Sequence, residues 1–160
     1  GDNRANVVEQ PAHLPQCTVG RGDHAVGALA VADRLLHRGH VEYLHLARAL
    51  GKELVVGINT DGSVERLKGP GRPVVPQDDR AFILAGLESV DAVTLFHEDT
   101  PEALIAALLP DILVKGGDYS LGEMVGREAV EAAGGEVRLI PLVQGRSTTE
   151  LLRSIKKETP

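Results

Sequence analysis

From His40 onward, short continuous apolar runs alternate with stretches whose apolar residues recur every three or four positions. The runs "ELVVGI", "DAVTLF", "DILVKGG" and "EVRLIPL" suit strands buried on both faces of a parallel sheet. The stretches between them, "HVEYLHLARAL", "RAFILAGLESV", "TPEALIAALLP" and "GREAVEAAGG", predict helices. In the first, Val41, Leu44 and Ala47, with Tyr43 and Leu50, should form the core face, and Gly51 should end the helix in the left-handed conformation. The third has Thr100 as expected N-cap, Pro101 at the first helical position and Pro110 beyond the end. Gly134 should close the fourth. A fifth helix is predicted in "STTELLRSIKK", where Ser147 to Glu150 form a capping box and Lys156 and Lys157 favour the C-terminal end. "HAVGALAVADRLL" supplies a first strand and the turn toward His37. By contrast, "NTDGSVERLKGPGRPVVPQDD" predicts a long loop with no more than one helical turn, where substrate contacts are expected.

Such regular alternation implies an α/β fold: a Rossmann-like, doubly wound parallel sheet with helices on both faces and ligands at the carboxyl ends of its strands. The 160 residues, 42% of them apolar, suffice for one core, so a single domain is expected over residues 25–160. Residues 1–24 mix Pro, Gly, Asn and charge without periodicity and read as a loosely organised extension. The net charge of −6 argues against a general nucleic-acid coat, so any anion site must be local. Only 2% of residues are aromatic, which disfavours base stacking as a binding mode. The lone Cys17 allows no intrachain disulfide and fits a reducing compartment. The apolar stretch "AVGALAVA" is too short to span a bilayer, and no basic leader with a cleavage pattern precedes it. A cytoplasmic protein without membrane insertion is therefore expected.

The chemistry begins at "HRGH". His37 and His40 stand three apart, so a helix starting near Arg38 would carry both, exposed, at its electropositive N-terminal end. Gly39 between them lets a ligand approach the backbone. Two histidines at a helix start can bind phosphate, chelate a metal or merely decorate a surface. The other histidines, His13, His24, His45 and His97, and Cys17 show no spacing that completes a zinc site, which favours phosphate. "RSTT" offers a second helix start with Arg146 and the Ser147 and Thr148 hydroxyls. "KGGDY" ends a strand with Gly116 and Gly117, and Asp118 there can accept hydrogen bonds from a ribose.

His37-Arg38-Gly39-His40 resembles the His-x-Gly-His signature of the cytidylyltransferase-like nucleotidyltransferases. The resemblance continues through "VGINTDGSVERLKGPGRPV", "DDR", "EDTPEALI", "PDILVKGGDY", "VEAAGGEVRLIPLV" and "RSTTELL", covering residues 35 to 157. It is greatest to the branch that joins ATP to a sugar 1-phosphate, D-glycero-β-D-manno-heptose 1-phosphate. The resemblance implies direct in-line attack of the substrate phosphate on the α-phosphorus of ATP, with Mg²⁺ accompanying the triphosphate and pyrophosphate leaving. It implies catalytic roles for His37, His40 and Lys68, and nucleotide contacts from Gly39, Arg80, Gly117, Asp118, Arg146, Ser147 and Thr148. Arg72 would bind the phosphorylated substrate; as alternatives, Lys68 and Arg72 are exposed loop charges and Arg80 is a solvated one. Cytidyl transfer to an alcohol phosphate such as glycerol 3-phosphate, and nucleotide binding without catalysis, are the competing functions. A homo-oligomer is implied by resemblance alone.

The resemblance stops just before His37. The family pattern there is Asn-Gly-x-Phe-Asp-x-x-His, whereas this chain reads "ALAVADRLLH", so a gapless register puts Arg34 in the aspartate position. Divergence with retained activity, loss of catalysis, or a local shift of reading frame would each produce such a break.

Overall fold

The computed structural model describes the backbone of residues 25–29 and the whole of residues 36–116 and 124–141. Within them the strands are β1 (Ala25–Leu29), β2 (Glu53–Asn59), β3 (Ala92–Phe96), β4 (Ile112–Gly116) and β5 (Glu136–Ile140). The helices are α1 (Arg38–Arg48), α2 (Asp61–Lys68), α3 (Gln77–Ala85), α4 (Glu102–Leu108) and α5 (Arg127–Ala132). The strands pair in parallel in the order β3-β2-β1-β4-β5. Strand order therefore reverses between β1 and β4, and such a switch point opens a crevice at the carboxyl ends of the strands.

Successive side chains of a strand point to opposite faces, and this alternation builds two cores. Leu54, Val56 and Ile58 of β2 and Val114 of β4 pack with Tyr43, Leu44 and Ala47 of α1 and Ala81 and Leu84 of α3. On the other face Leu113 of β4 joins Val137 and Leu139 of β5 beneath Ile105 of α4 and Val130 of α5. Helices thus cover both faces, as the alternating sequence implies. Among the described residues no helix is long and apolar enough to cross a membrane.

Several local expectations need correction. The buried face of α1 runs through His40, Tyr43, Leu44 and Ala47, while Val41 and Leu50 are exposed. Periodicity identified the helix but placed its apolar stripe too broadly. The C-cap of α1 is Ala49 at φ −67°, and Gly51 is not left-handed; its carbonyl instead accepts a hydrogen bond from Arg48 Nη1 at 2.7 Å. Helix α4 begins one residue later than expected, with Pro101 in the cap position and no side-chain cap. Gly134, at φ 86°, does have the left-handed backbone expected after α5.

The largest difference lies in the predicted loop, which contains the eight-residue α2. Tertiary contacts hold this polar helix. Asn59 Nδ2 donates to Ser63 Oγ at 2.8 Å, Ser63 Oγ donates to the Glu98 carbonyl at 2.8 Å, and Arg66 Nε donates to Asp99 Oδ1 at 2.8 Å. These partners are 33 to 35 residues away in the last two cases, beyond the reach of local periodicity.

Candidate active site

Helix α1 enters at the carboxyl edge of the sheet with His37 as N-cap, its backbone extended at φ −139° and ψ 172°. His37 Nδ1 accepts from the Gly39 N–H at 3.1 Å. In return His40 Nδ1 accepts from the His37 N–H at 3.4 Å. Two imidazoles thereby form the reciprocal capping box usually made by Ser or Thr with Glu or Gln. Their ring centroids lie 4.0 Å apart.

This arrangement has a chemical consequence. A ring nitrogen that accepts from a backbone N–H carries no proton, so in each neutral imidazole the proton belongs on Nε2. Both side chains are therefore set as Nε2 donors at the positive end of a helix, the chemistry an anionic oxygen requires. His40 is only 8% exposed and His37 half-buried, which corrects the expectation of two exposed residues. Gly39 between them is buried as well.

One turn farther along α1, Tyr43 donates through its hydroxyl to the Val114 carbonyl at 3.3 Å. Burial raises its phenol above the usual range, so it acts here as a neutral donor. The contact joins α1 to β4 just before Lys115 and Gly116, the start of the expected ribose-binding segment. Lys115 itself is half-buried.

Lys68 is the exposed last residue of α2, and Arg72 is half-buried in the loop between α2 and α3. In that loop Gly69 and Gly71 have φ of 93° and 79°, values that glycine adopts without strain. Arg80 is not solvated: it is 6% exposed, with Nη2 donating to Asp61 Oδ1 at 2.7 Å and Nε to the Val75 carbonyl at 3.0 Å. Asp61 was not singled out by sequence reasoning, and neither was Tyr43 as a polar contact. A buried arginine needs an acceptor, but the partner lies 19 residues upstream with no local pattern marking it.

The structure brings His37, Gly39 and His40 together as one unit. It places Arg80 with Asp61 and Val75, and it puts Lys68 and Arg72 at the two sides of the intervening glycine turn. Gly117, Asp118, Arg146, Ser147 and Thr148, and Arg34 with the break before His37, lie outside the described residues. Among the described residues no group of three or more His, Cys, Asp or Glu could hold a metal ion.

A family model described as Cytidylyltransferase-like matches residues 35–153. The chain belongs to the cytidylyltransferase-like family. The match begins two residues before His37, at the point where the sequence resemblance also begins, and extends through Thr148. The bifunctional protein HldE of Citrifermentans bemidjiense is 51% identical over 154 residues, 96% of this chain and 31% of that protein. The bifunctional protein HldE of Geobacter sulfurreducens is 54% identical over 157 residues, 98% of this chain and 32% of its own length. This chain thus spans about a third of the length of these curated relatives. Among solved structures, the lipopolysaccharide core biosynthesis protein from Thermoplasma volcanium has a TM-score of 0.62 at 27% identity, covering 78% of this chain and 100% of its own. A pantoate-beta-alanine ligase from Francisella tularensis, 13% identical with a TM-score of 0.56, covers 84% of this chain and 67% of its own and shares the fold.

Proposed function

We propose that this chain transfers AMP from ATP to a sugar 1-phosphate, D-glycero-β-D-manno-heptose 1-phosphate, giving an ADP-sugar and pyrophosphate. The observation that carries the reading is the double-histidine cap, which sets two Nε2 donors at a helix N-terminus on the carboxyl edge of a doubly wound sheet. Membership of the cytidylyltransferase-like family supports nucleotidyl transfer. The choice of sugar rests on the sequence resemblance to the heptose 1-phosphate branch, and the lipopolysaccharide core biosynthesis protein among the structural neighbours is in keeping with it.

In this mechanism an oxygen of the sugar phosphate attacks the α-phosphorus as the bond to the bridging β-phosphate oxygen breaks. Pyrophosphate carries away the bonding electrons, and no covalent enzyme intermediate forms. The protein contributes position and neutralisation of negative charge. His37 and His40 donate to the phosphate oxygens that gain charge, while Lys68 and Arg72 supply cations from the α2–α3 region. Mg²⁺ fits as a companion of ATP held on phosphate oxygens, a common arrangement for this ion; it would screen the triphosphate charge. The proposed compartment is the cytoplasm, where ATP is available.

Pyrophosphate release with ATP and heptose 1-phosphate, compared with CTP and glycerol 3-phosphate, tests the reading. Turnover is expected with the first pair. Turnover confined to the second would make the chain a cytidylyltransferase, and nucleotide binding without turnover on either would make it a non-catalytic relative, the outcome favoured by Arg34 at the aspartate position.

A further inference from the structure

We propose that Arg80 is a positioning residue that closes the α2–α3 loop onto the start of α2, acting on the phosphorylated substrate through Arg72 and Lys68 without itself touching the nucleotide. The inference rests on the nucleotidyltransferase reading of the site. Arg80 is among the few buried charged residues of the described chain, and two of its partners belong to the two ends of one loop. Nη2 holds the Asp61 carboxylate at 2.7 Å, at the first turn of α2. Nε holds the Val75 carbonyl at 3.0 Å, one residue before the Pro76 cap of α3.

A second contact ties the same points: the Asp61 N–H donates to Gln77 Oε1 at 2.8 Å. The backbone N–H of Arg80 donates to the Pro76 carbonyl at 2.9 Å, fixing the base of the arginine itself. The segment 69–76 must therefore leave Lys68 and return to a place defined by the Arg80 guanidinium together with the Gln77 side chain. Its left-handed Gly69 and Gly71 bend the chain, and a Cβ added at either would meet nothing within 4 Å among the described residues. The guanidinium bridge supplies restraint at the loop's ends. It also offsets the negative charge of Asp61, which stands just beyond the end of β2 on the edge that receives the anion.

The substitutions Arg80→Lys and Asp61→Asn separate this role from direct contact. Lysine keeps the charge but cannot fork between a carboxylate and a carbonyl. Positioning predicts that Arg80→Lys raises KM for the sugar phosphate about tenfold with kcat changed less than about threefold. Asp61→Asn should raise KM in the same direction, and the double variant should be no worse than Arg80→Lys because both changes break one bridge. If Arg80 bound phosphate directly, with Asp61 merely competing for it, Asp61→Asn would leave KM unchanged or lower it, and the proposal would fall.

Native-state trypsin cleavage after Lys68 gives a readout that needs no turnover. Both variants should be cut at least about fivefold faster than the parent chain under conditions where all three remain folded. Equal cleavage rates would also overturn the proposal. Should the parent chain release no pyrophosphate from any substrate pair, the functional reading fails, while the cleavage comparison still decides whether Arg80 holds the loop.

Discussion

Helix α1 is finished differently at its two ends. At the C-terminal end charged groups satisfy one another: Arg48 Nε pairs with Asp91 at 2.8 Å, Arg48 Nη1 donates to the Gly51 carbonyl, and Asp91 Oδ2 accepts from the Leu54 N–H at 2.7 Å. At the N-terminal end His37 and His40 use one nitrogen each on the backbone and are thereby set as donors through the other. Both ends satisfy backbone groups that a helix or strand leaves over. Only one does so in a way that also leaves two ring nitrogens set as donors. The difference separates architecture from chemistry within 11 residues of helix.

The sharpest way to break this comparison is at His40. Alanine there removes an Nε2 donor and the acceptor for the His37 N–H, so turnover should fall by about 10²–10³, the loss typical of one preorganised donor to a charged transition state. Because His40 is buried, stability should also fall by about 1–2 kcal/mol through the lost cap and hydrogen bond. Pyrophosphate release and thermal unfolding measured on the same preparation separate the two losses. A stability loss without a fall in turnover would reduce His40 to a capping residue.

Asp91→Ala should show the reverse profile. It leaves the N–H of buried Leu54 without its carboxylate acceptor and releases Arg48, which should cost about 1–3 kcal/mol in denaturant unfolding. The ion pair adds little to that figure, since both side chains are about a third exposed. With the protein kept folded, kcat should stay within about twofold of the parent, because this end of α1 lies at the amino edge of the sheet. A large loss of turnover would mean that the two ends of the helix are coupled.

The sequence made the chemical end of α1 more legible than the structural end. Two histidines around a glycine at a helix start announce themselves within four residues, and the alternation of runs from Leu54 to Ile140 reveals the sheet because each strand is a local pattern. Asp91 could not be paired with Arg48 from spacing, and Asp61 could not be paired with Arg80, since both contacts depend on how separate elements meet in space. The same cause hid α2. Its sequence, "DGSVERLK", has a polar composition with only Val64 and Ser63 buried, and contacts to Glu98 and Asp99 hold it in place. Burial of His40 was misjudged for a related reason: its neighbours in sequence suggest an exposed helix start, but Tyr43 and Leu44 beside it draw that face of α1 onto the sheet.

A smaller effect sharpens the division of labour within the cap itself. His37→Asn retains a short polar side chain, and asparagine is among the most favourable N-cap residues, so it can accept from the N–H groups of the first turn as His37 Nδ1 does now. Stability should therefore stay within about 0.5 kcal/mol of the parent. Asparagine cannot extend a ring N–H from the far side of the same side chain, so turnover should still fall about tenfold, less than for His40→Ala because asparagine keeps a cap acceptor at the helix start whereas alanine at 40 also removes the acceptor for the His37 N–H. Unfolding midpoint and pyrophosphate release together test this. Unchanged turnover at unchanged stability would show that His37 serves α1 alone and that the anion is met by His40; loss of both would show that the imidazole ring, and not merely its acceptor nitrogen, is needed to start the helix.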